Sequence, residues 1–190
     1  MKNNPTANQL TGRAIGSIFF AGFGAIWLFL SLYARQQLSA ATVSGVVAGT
    51  LMLLLSAMYL FRQAKRWPRV PDDPAVGRAF GWINAIQWIA AGVAAFTLAR
   101  LHLDAYVVNA ITVVVGLHMF PLARLFRYPM HHVTGTMLVA WSVVSIPLVP
   151  AEQLQGFTAL GTGMILWLSA AVTLVLALRK AQRSAEPQFI

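Results

Sequence analysis

The chain has 190 residues, of which 58% are hydrophobic and 10% are charged, and its formal net charge is +9. Soluble domains carry about 25% charged residues, so this composition excludes a water-soluble globular protein and indicates an integral membrane protein. The chain contains no cysteine, which excludes disulfides, thiolate metal sites and S-acylation. Basic loops that face anionic headgroups explain the positive charge, so we expect membrane lipids rather than nucleic acid as partners.

Six apolar runs have the length of transmembrane helices, since the hydrocarbon core of a bilayer needs about 20 residues per helix. We therefore predict an all-α polytopic membrane protein. Its six helices span about residues 14–33, 41–61, 78–98, 106–126, 133–149 and 157–178. The polar segments 1–12 and 181–190 are predicted to be tails outside a transmembrane domain of residues 13–180. Before the third helix, Asp73 and Pro74 suit the N-cap and the first helical position.

The basic residues are distributed unequally between the two ends of these helices. Twelve of the 14 Lys and Arg residues lie where odd-numbered helices begin or even-numbered helices end, and the opposite side has only Arg35 and Arg100. Basic loops stay preferentially on the cytoplasmic side. We therefore predict a multi-pass protein of the cell inner (cytoplasmic) membrane with both termini in the cytoplasm.

Short sequence matches recur at a constant offset of 65 residues. The sequence GRAIG at 12–16 returns as GRAFG at 77–81, and LFR at 60–62 returns at 125–127. These matches predict tandem αα-hairpins, the first two being copies related by an axis along the membrane normal. With a third, shorter copy, the hairpins span residues 13–62, 78–127 and 132–179.

In length, helix number and tandem hairpins, the chain resembles the broad group of small bacterial six-helix inner-membrane proteins, HdeD-like proteins among them. Helix count and length carry this resemblance, and no residue motif does. It therefore implies a membrane fold and nothing about a site.

The second hairpin carries polar residues at depths where the first is apolar. At the offset of 65 residues, Gly22 corresponds to Gln87 and Leu53 to His118. Unpaired polar groups in hydrocarbon cost several kcal/mol, so these side chains should face the bundle interior. They predict a small ligand-binding pocket there. Its candidate residues are Asn84, Gln87, Trp88, Asn109, His118 and Trp141.

His118 is the first candidate, because Pro121 follows it three residues later in the same helix. Proline cannot donate to the carbonyl of Leu117, so we expect a kink with a free acceptor beside the imidazole. The alternative is a neutral histidine that only packs, bonded to Gln87 or to a serine. Interhelical hydrogen bonding is likewise the alternative to ligand contact for Asn84 and Gln87.

Two further pairs of residues have simpler interpretations. Gly45 and Gly49, at four-residue spacing, predict a face of the second helix that a neighbouring helix approaches closely. Adjacent histidines on a helix point about 100° apart and chelate poorly, so His131 and His132 are expected to form a solvated basic corner that contacts phosphates. All five acidic residues lie outside the predicted helices, and we expect no metal site and no cofactor.

Three functional hypotheses follow. The leading one is a non-enzymatic protein that binds, senses or passively conducts a small, mostly apolar molecule or lipid through the pocket around His118. The alternative is a structural or assembly subunit whose Gly45–Gly49 face binds a partner membrane protein, which includes a second copy of the chain in a homo-oligomer. The third is an intramembrane enzyme with His118 as general base, which the lack of intramembrane carboxylates and of familiar catalytic motifs disfavours.

Overall fold

The computed structural model describes residues 6–71 and 73–185, and these form six α-helices and no strand. The helices are α1 (Ala7–Ala34), α2 (Ala40–Ala64), α3 (Pro74–Arg100), α4 (Val107–Leu125), α5 (Met130–Leu148) and α6 (Ala151–Ala185). A 3₁₀ turn, Asp104–Tyr106, leads into α4. The prediction of an all-α fold with six helices is confirmed.

Both terminal helices are longer than predicted. α1 begins at Ala7, inside the segment predicted as a tail, because the Thr6 side chain caps its first turn. α6 continues to Ala185 and so includes residues 181–185 of the other predicted tail. The remaining tail residues lie outside the described ranges. Hydropathy marks only the part of a helix that suits hydrocarbon, so polar end turns are missed.

The helix ends follow local capping rules. Asp73 accepts a hydrogen bond of 2.8 Å from the Ala75 N–H, and Pro74 is the first residue of α3, as predicted. Ser39 begins α2 through a reciprocal capping box. Left-handed residues, uncommon outside glycine, follow three of the helices and redirect the chain. These residues are Gln36, His102 and Arg127, with φ of 53°, 55° and 48°.

Five segments are long and apolar enough to cross a membrane, namely α1, α2, α3, Asp104–Leu125 and Ala151–Arg183. The chain is therefore described as a multi-pass membrane protein. α5 is not among the five segments, whereas six crossing helices were predicted. Its 19 residues include His131 and His132 at the start, which lower its mean hydropathy.

Helix pairs α1–α6, α4–α5 and α5–α6 run antiparallel, whereas α4 runs parallel to α6. Between α1 and α6, Trp167 Nε1 donates to the Ala21 carbonyl at 3.1 Å, and Ser31 Oγ donates to the Gly156 carbonyl at 2.8 Å. The partners in α1 are ten residues apart and the partners in α6 are eleven apart, in the opposite chain direction, so the two helices are antiparallel. The contacts Asn109–Ser142 and Gly116–Gly135 show the same antiparallel order for α4 and α5. The hydrogen bonds Thr134–Ser169 and Ser145–Thr158 show it for α5 and α6.

α6 lies at the centre of the bundle, where it contacts α1, α2, α4 and α5, and it packs most extensively against α1. α3, in contrast, packs closely only against α4 and the 3₁₀ turn, and it buries only Ala91 fully over its described length. The first and third helices, which correspond in the predicted repeat, therefore have different surroundings.

Two glycine pairs bring helix backbones into contact. A Cβ atom at Gly163 would lie 2.8 Å from the Gly24 carbonyl oxygen, between α6 and α1. A Cβ atom at Gly116 would lie 2.9 Å from the Gly135 carbonyl oxygen, between α4 and α5. In lipid, no hydrophobic force drives helices together. The close approach of these backbones provides the van der Waals packing that holds the helices together instead.

Candidate functional site around His118

His118 lies in the bundle interior, where its side chain is 8% exposed, and Pro121 lies within the same helix as predicted. The Nδ1 atom of His118 hydrogen-bonds Oε1 of the half-buried Gln87 on α3. The other ring nitrogen, Nε2, is buried and has no hydrogen-bond partner among the described residues. The fold thus brings two of the predicted site residues together.

The hydrogen bond to Gln87 determines which nitrogen of His118 carries the proton. An amide oxygen can only accept, so His118 Nδ1 must donate. In a neutral imidazole the other nitrogen, Nε2, is then a lone-pair acceptor. His118 therefore presents an acceptor without a donor inside the bundle. A buried acceptor that stays unpaired lowers the stability of the folded protein by about 1–3 kcal/mol.

His131 provides a second unpartnered nitrogen, and the prediction of a solvated corner is wrong for this residue. Its Nδ1 is buried without a partner, and its ring makes edge contacts with Phe20 and Tyr128, at centroid distances of 5.7 and 5.2 Å. The next residue, His132, has its ring centroid 5.5 Å from that of Phe120, two residues after His118 on α4. The tertiary fold covers His131 with aromatic rings, which adjacency in sequence could not reveal.

Ser17 adds a third unpartnered polar atom, its Oγ, and the side chain is 1% exposed. It lies three residues before Phe20, the residue whose ring contacts His131. Phe20, three residues after Ser17, and Met119, which directly follows His118, belong to one hydrophobic core cluster. We call His118, Gln87, His131 and Ser17 the histidine layer.

Asn109 belongs to a different cluster at another depth. Its Nδ2 donates to the Ser142 carbonyl at 2.8 Å and to Ser145 Oγ at 2.9 Å, while its Oδ1 accepts from Thr158 Oγ1 at 3.2 Å. Asn109 and His118 are nine residues apart, hence about 13–14 Å along a helix axis. The side-chain amide is thus bonded at both ends, and we call this group the asparagine cluster.

Trp141 also belongs to the asparagine cluster, because its Nε1 donates to the Thr158 carbonyl at 3.1 Å. The hydroxyl partners on α6 were not among the predicted site residues, although the sequence carries a signal for them. One stripe of that helix carries hydroxyl residues at spacings of four, seven and four. They are Thr158, Thr162, Ser169 and Thr173. Thr162 pairs with Thr112, and Ser169 pairs with Thr134.

The two remaining predicted site residues lie outside both groups. Asn84 is half-buried, and its Nδ2 donates at 2.9 Å to the Phe80 carbonyl of its own helix. Trp88 is 62% exposed, and its ring centroid lies 6.5 Å from that of Phe23 on α1. Of the six predicted residues, only His118 and Gln87 contact each other in the histidine layer.

The predicted glycine face of α2 is divided. Gly49 packs against the indole ring of Trp167 on α6, so that part of the face is used within the chain. Gly45, one turn away, has no atom within 4 Å of where a Cβ would be. The packing that the spacing predicts therefore occurs at one glycine and leaves the other open.

The chemistry available in the histidine layer is hydrogen bonding. Within residues 6–71 and 73–185, no group of three or more His, Asp or Glu side chains could hold a metal ion. His118 Nε2 can accept a hydrogen bond, and the apolar surroundings favour a ligand that is itself mostly apolar. Comparison of the chain with protein-family models, with curated proteins and with solved structures gave no match.

Proposed function

We propose that the chain is a small inner-membrane protein of bacterial type that crosses the cytoplasmic membrane six times, with both termini in the cytoplasm. The bias of 12 basic residues out of 14 supports this orientation. α5 would be the sixth crossing. Its 19 residues correspond to about 28 Å of helix, close to the bilayer core of about 30 Å. Its antiparallel packing between α4 and α6 supports the same placement.

We also propose that three tandem hairpins organise the bundle. The matches at an offset of 65 residues support this, as do the contacts of α1 with α2, of α3 with α4 and of α5 with α6. Leu53 and His118 correspond at this offset, and both are buried. The second copy would then have gained its acceptor at a position that the first copy fills with an apolar side chain.

We infer that the protein binds a small, mostly apolar molecule or lipid in the histidine layer, for sensing or for passive conduction rather than for catalysis. The observation that carries this proposal is the buried His118 Nε2, a lone-pair acceptor without a donor. The ligand would carry a hydrogen-bond donor, such as a hydroxyl group, on an apolar body. The aromatic rings of Phe20, Phe126 and Tyr128 around His131 suit such a body.

The contrast with the asparagine cluster supports a ligand role over simple packing. Asn109 finds partners for both ends of its amide on two neighbouring helices. His118 and His131 each keep one buried nitrogen unpaired, although native proteins pair nearly all buried polar atoms. A ligand hydroxyl that donates to His118 would remove one of these costs, whereas a purely structural histidine gains nothing from its open nitrogen.

A thermal-shift experiment with matched ligands tests the proposal. The purified protein in mild detergent is titrated with a fatty alcohol and with the methyl ether of the same chain, which lacks the hydroxyl donor. We expect the alcohol to raise the melting temperature of the wild type more than the ether does. In His118→Leu the two compounds should act equally, because the acceptor is gone.

His102→Leu provides the matched control, since this histidine is exposed in the loop after α3. It should retain the difference between alcohol and ether. If both compounds shift wild type, His118→Leu and His102→Leu by the same amount, the histidine layer is packing and the ligand proposal is wrong.

A further inference from the structure

A second candidate site lies where α2 and α6 end together. A pocket of about 400 Å³ opens there, within the usual size range of small-ligand sites. Its lining combines polar, basic and aromatic side chains with two aliphatic ones. The residues are Tyr59, Gln63, Arg66, Trp67, Leu178, Ala181 and Gln182. None of them belongs to the histidine layer or to the asparagine cluster.

The pocket wall is held in place by α1. Trp67 packs against the hydrophobic core, and the loop that follows it is tied to the start of α1. The Ala7 N–H donates to the Pro68 carbonyl at 2.9 Å. The Asn8 side chain donates to the Val70 carbonyl at 2.8 Å and accepts from its N–H at 2.9 Å. The wall is thus preorganised, which lowers the entropic cost of binding.

The electrostatic surroundings favour an anion. Residues 62–73 and 179–186 together contain seven basic and three acidic residues. Each helix C-terminus carries about half a negative charge. The ends of α2 and α6 together therefore place about one negative charge near the pocket, which disfavours binding of an anion. The excess of four basic residues outweighs that opposition. Arg66 lines the pocket itself, and a guanidinium binds phosphate oxygens in a bidentate manner.

We propose that this pocket binds the headgroup of an anionic phospholipid. Arg66 holds the phosphate, Gln63 and Gln182 bond the glycerol and ester oxygens, and Tyr59 and Leu178 contact the start of the acyl chains. Tyrosine and tryptophan prefer this depth of a membrane, and anionic lipids attract basic residues at its cytoplasmic surface. The site rests on the proposed membrane orientation and is independent of ligand binding at His118.

Native mass spectrometry of the full chain, titrated with phosphatidylglycerol, phosphatidylcholine or glycerol 3-phosphate, tests this proposal. Phosphatidylglycerol should bind saturably at one site, and the other two compounds should bind far more weakly. Arg66→Gln should reduce the affinity by at least about tenfold, because a charge-assisted hydrogen bond to phosphate is lost. Arg69→Gln removes the same charge three residues away, outside the pocket lining, and should change the affinity by less than about twofold.

If Arg66→Gln and Arg69→Gln reduce the affinity for phosphatidylglycerol equally, the effect of charge is diffuse and the proposed headgroup site is wrong. Equal binding of phosphatidylcholine would overturn anionic selectivity, and equal binding of glycerol 3-phosphate would overturn a lipid ligand in favour of a free phosphate ester. Gln182→Ala, a truncation in α6, provides a second variant should Arg66→Gln not fold, and it should also weaken binding. His118→Leu should bind phosphatidylglycerol as the wild type does, so a failed histidine layer and a failed headgroup site give different results.

Discussion

Gly49 of α2 lies directly against the indole ring of Trp167 of α6, so that a single methyl group at Gly49 would overlap the ring. The ring cannot easily turn away, because its Nε1 donates to the Ala21 carbonyl of α1 at 3.1 Å and because it also lies against Gly24. Trp167 is therefore wedged between α1 and α2. This contact joins α2 to α6, in addition to the packing of α2 against α1.

The first prediction concerns this wedge. Gly49→Leu should destabilise the folded chain by about 1–3 kcal/mol, the usual effect of overpacking a filled contact. Gly45→Leu is the matched control, because a side chain there meets open space, and it should change stability much less. Thermal unfolding of both variants in the same detergent provides the measurement. Equal stability of the two variants would contradict the contact.

The same pair of variants addresses assembly. If chains associate through the open part of the α2 face, Gly45→Leu should shift migration in native electrophoresis toward the monomer while the protein stays inserted. Gly49→Leu should affect folding instead, because its contact lies within the chain. Unchanged migration of Gly45→Leu would remove this face from consideration as an interface.

The second prediction concerns the asparagine cluster. Asn109→Leu should reduce the free energy of unfolding by about 1–3 kcal/mol, because the hydroxyl groups of Ser145 and Thr158 lose a buried partner. Asn84→Leu is the matched control, since that amide bonds only to its own helix in the described contacts, and it should be nearly neutral. Chemical unfolding in mixed micelles measures both. A loss at Asn84 as large as that at Asn109 would contradict the division into separate groups.

The third prediction concerns His118 without ligand. His118→Leu removes an unpartnered acceptor but leaves Gln87 without its partner, so stability should change by less than about 1 kcal/mol. The double variant His118→Leu with Gln87→Leu replaces both partners by apolar groups and should be at least as stable as the wild type. Unfolding experiments in ligand-free detergent provide the test. A large loss in the double variant would show that the pair stabilises the bundle.

The fourth prediction concerns orientation. The native chain has no cysteine, so single cysteines can be introduced at Gln36, Gln153 and Val70, all of which are exposed. A membrane-impermeant thiol reagent added outside intact cells should label the first two positions and not the third. Labelling of Val70 from outside would reverse the proposed topology.

Much of the secondary structure could be predicted from the sequence, because a helix in lipid must satisfy its own backbone hydrogen bonds and must be about 20 apolar residues long. The start of α3 is an example. Asp73 and Pro74 have side-chain chemistry that specifies a helix N-terminus without any tertiary contact, and the structure confirms both roles. Pro121, predicted to kink its helix, lies within α4.

The composition of the candidate site could be predicted only in part. The pairing of His118 with Gln87 was foreseen as one of two alternatives, because both residues break an apolar run at similar depth. The association of Asn109 with α5 and α6 was not foreseen, nor was the burial of His131 beneath aromatic rings. Distance along a helix is visible in a sequence, but which neighbouring helix a face meets is not.

The sequence by itself thus determined the six helices, the start of α3 and the unequal distribution of basic residues, since each depends on local chemistry and on the bilayer as solvent. Only the tertiary structure decided that α6 occupies the centre, that α3 lies at the edge and that His118 keeps an unpaired nitrogen. The physical reason is that lipid tails are as apolar as the helix surfaces. Neighbours are therefore selected by close contacts such as Gly24 with Gly163 and Gly116 with Gly135, whose fit exists only once both helices are in place.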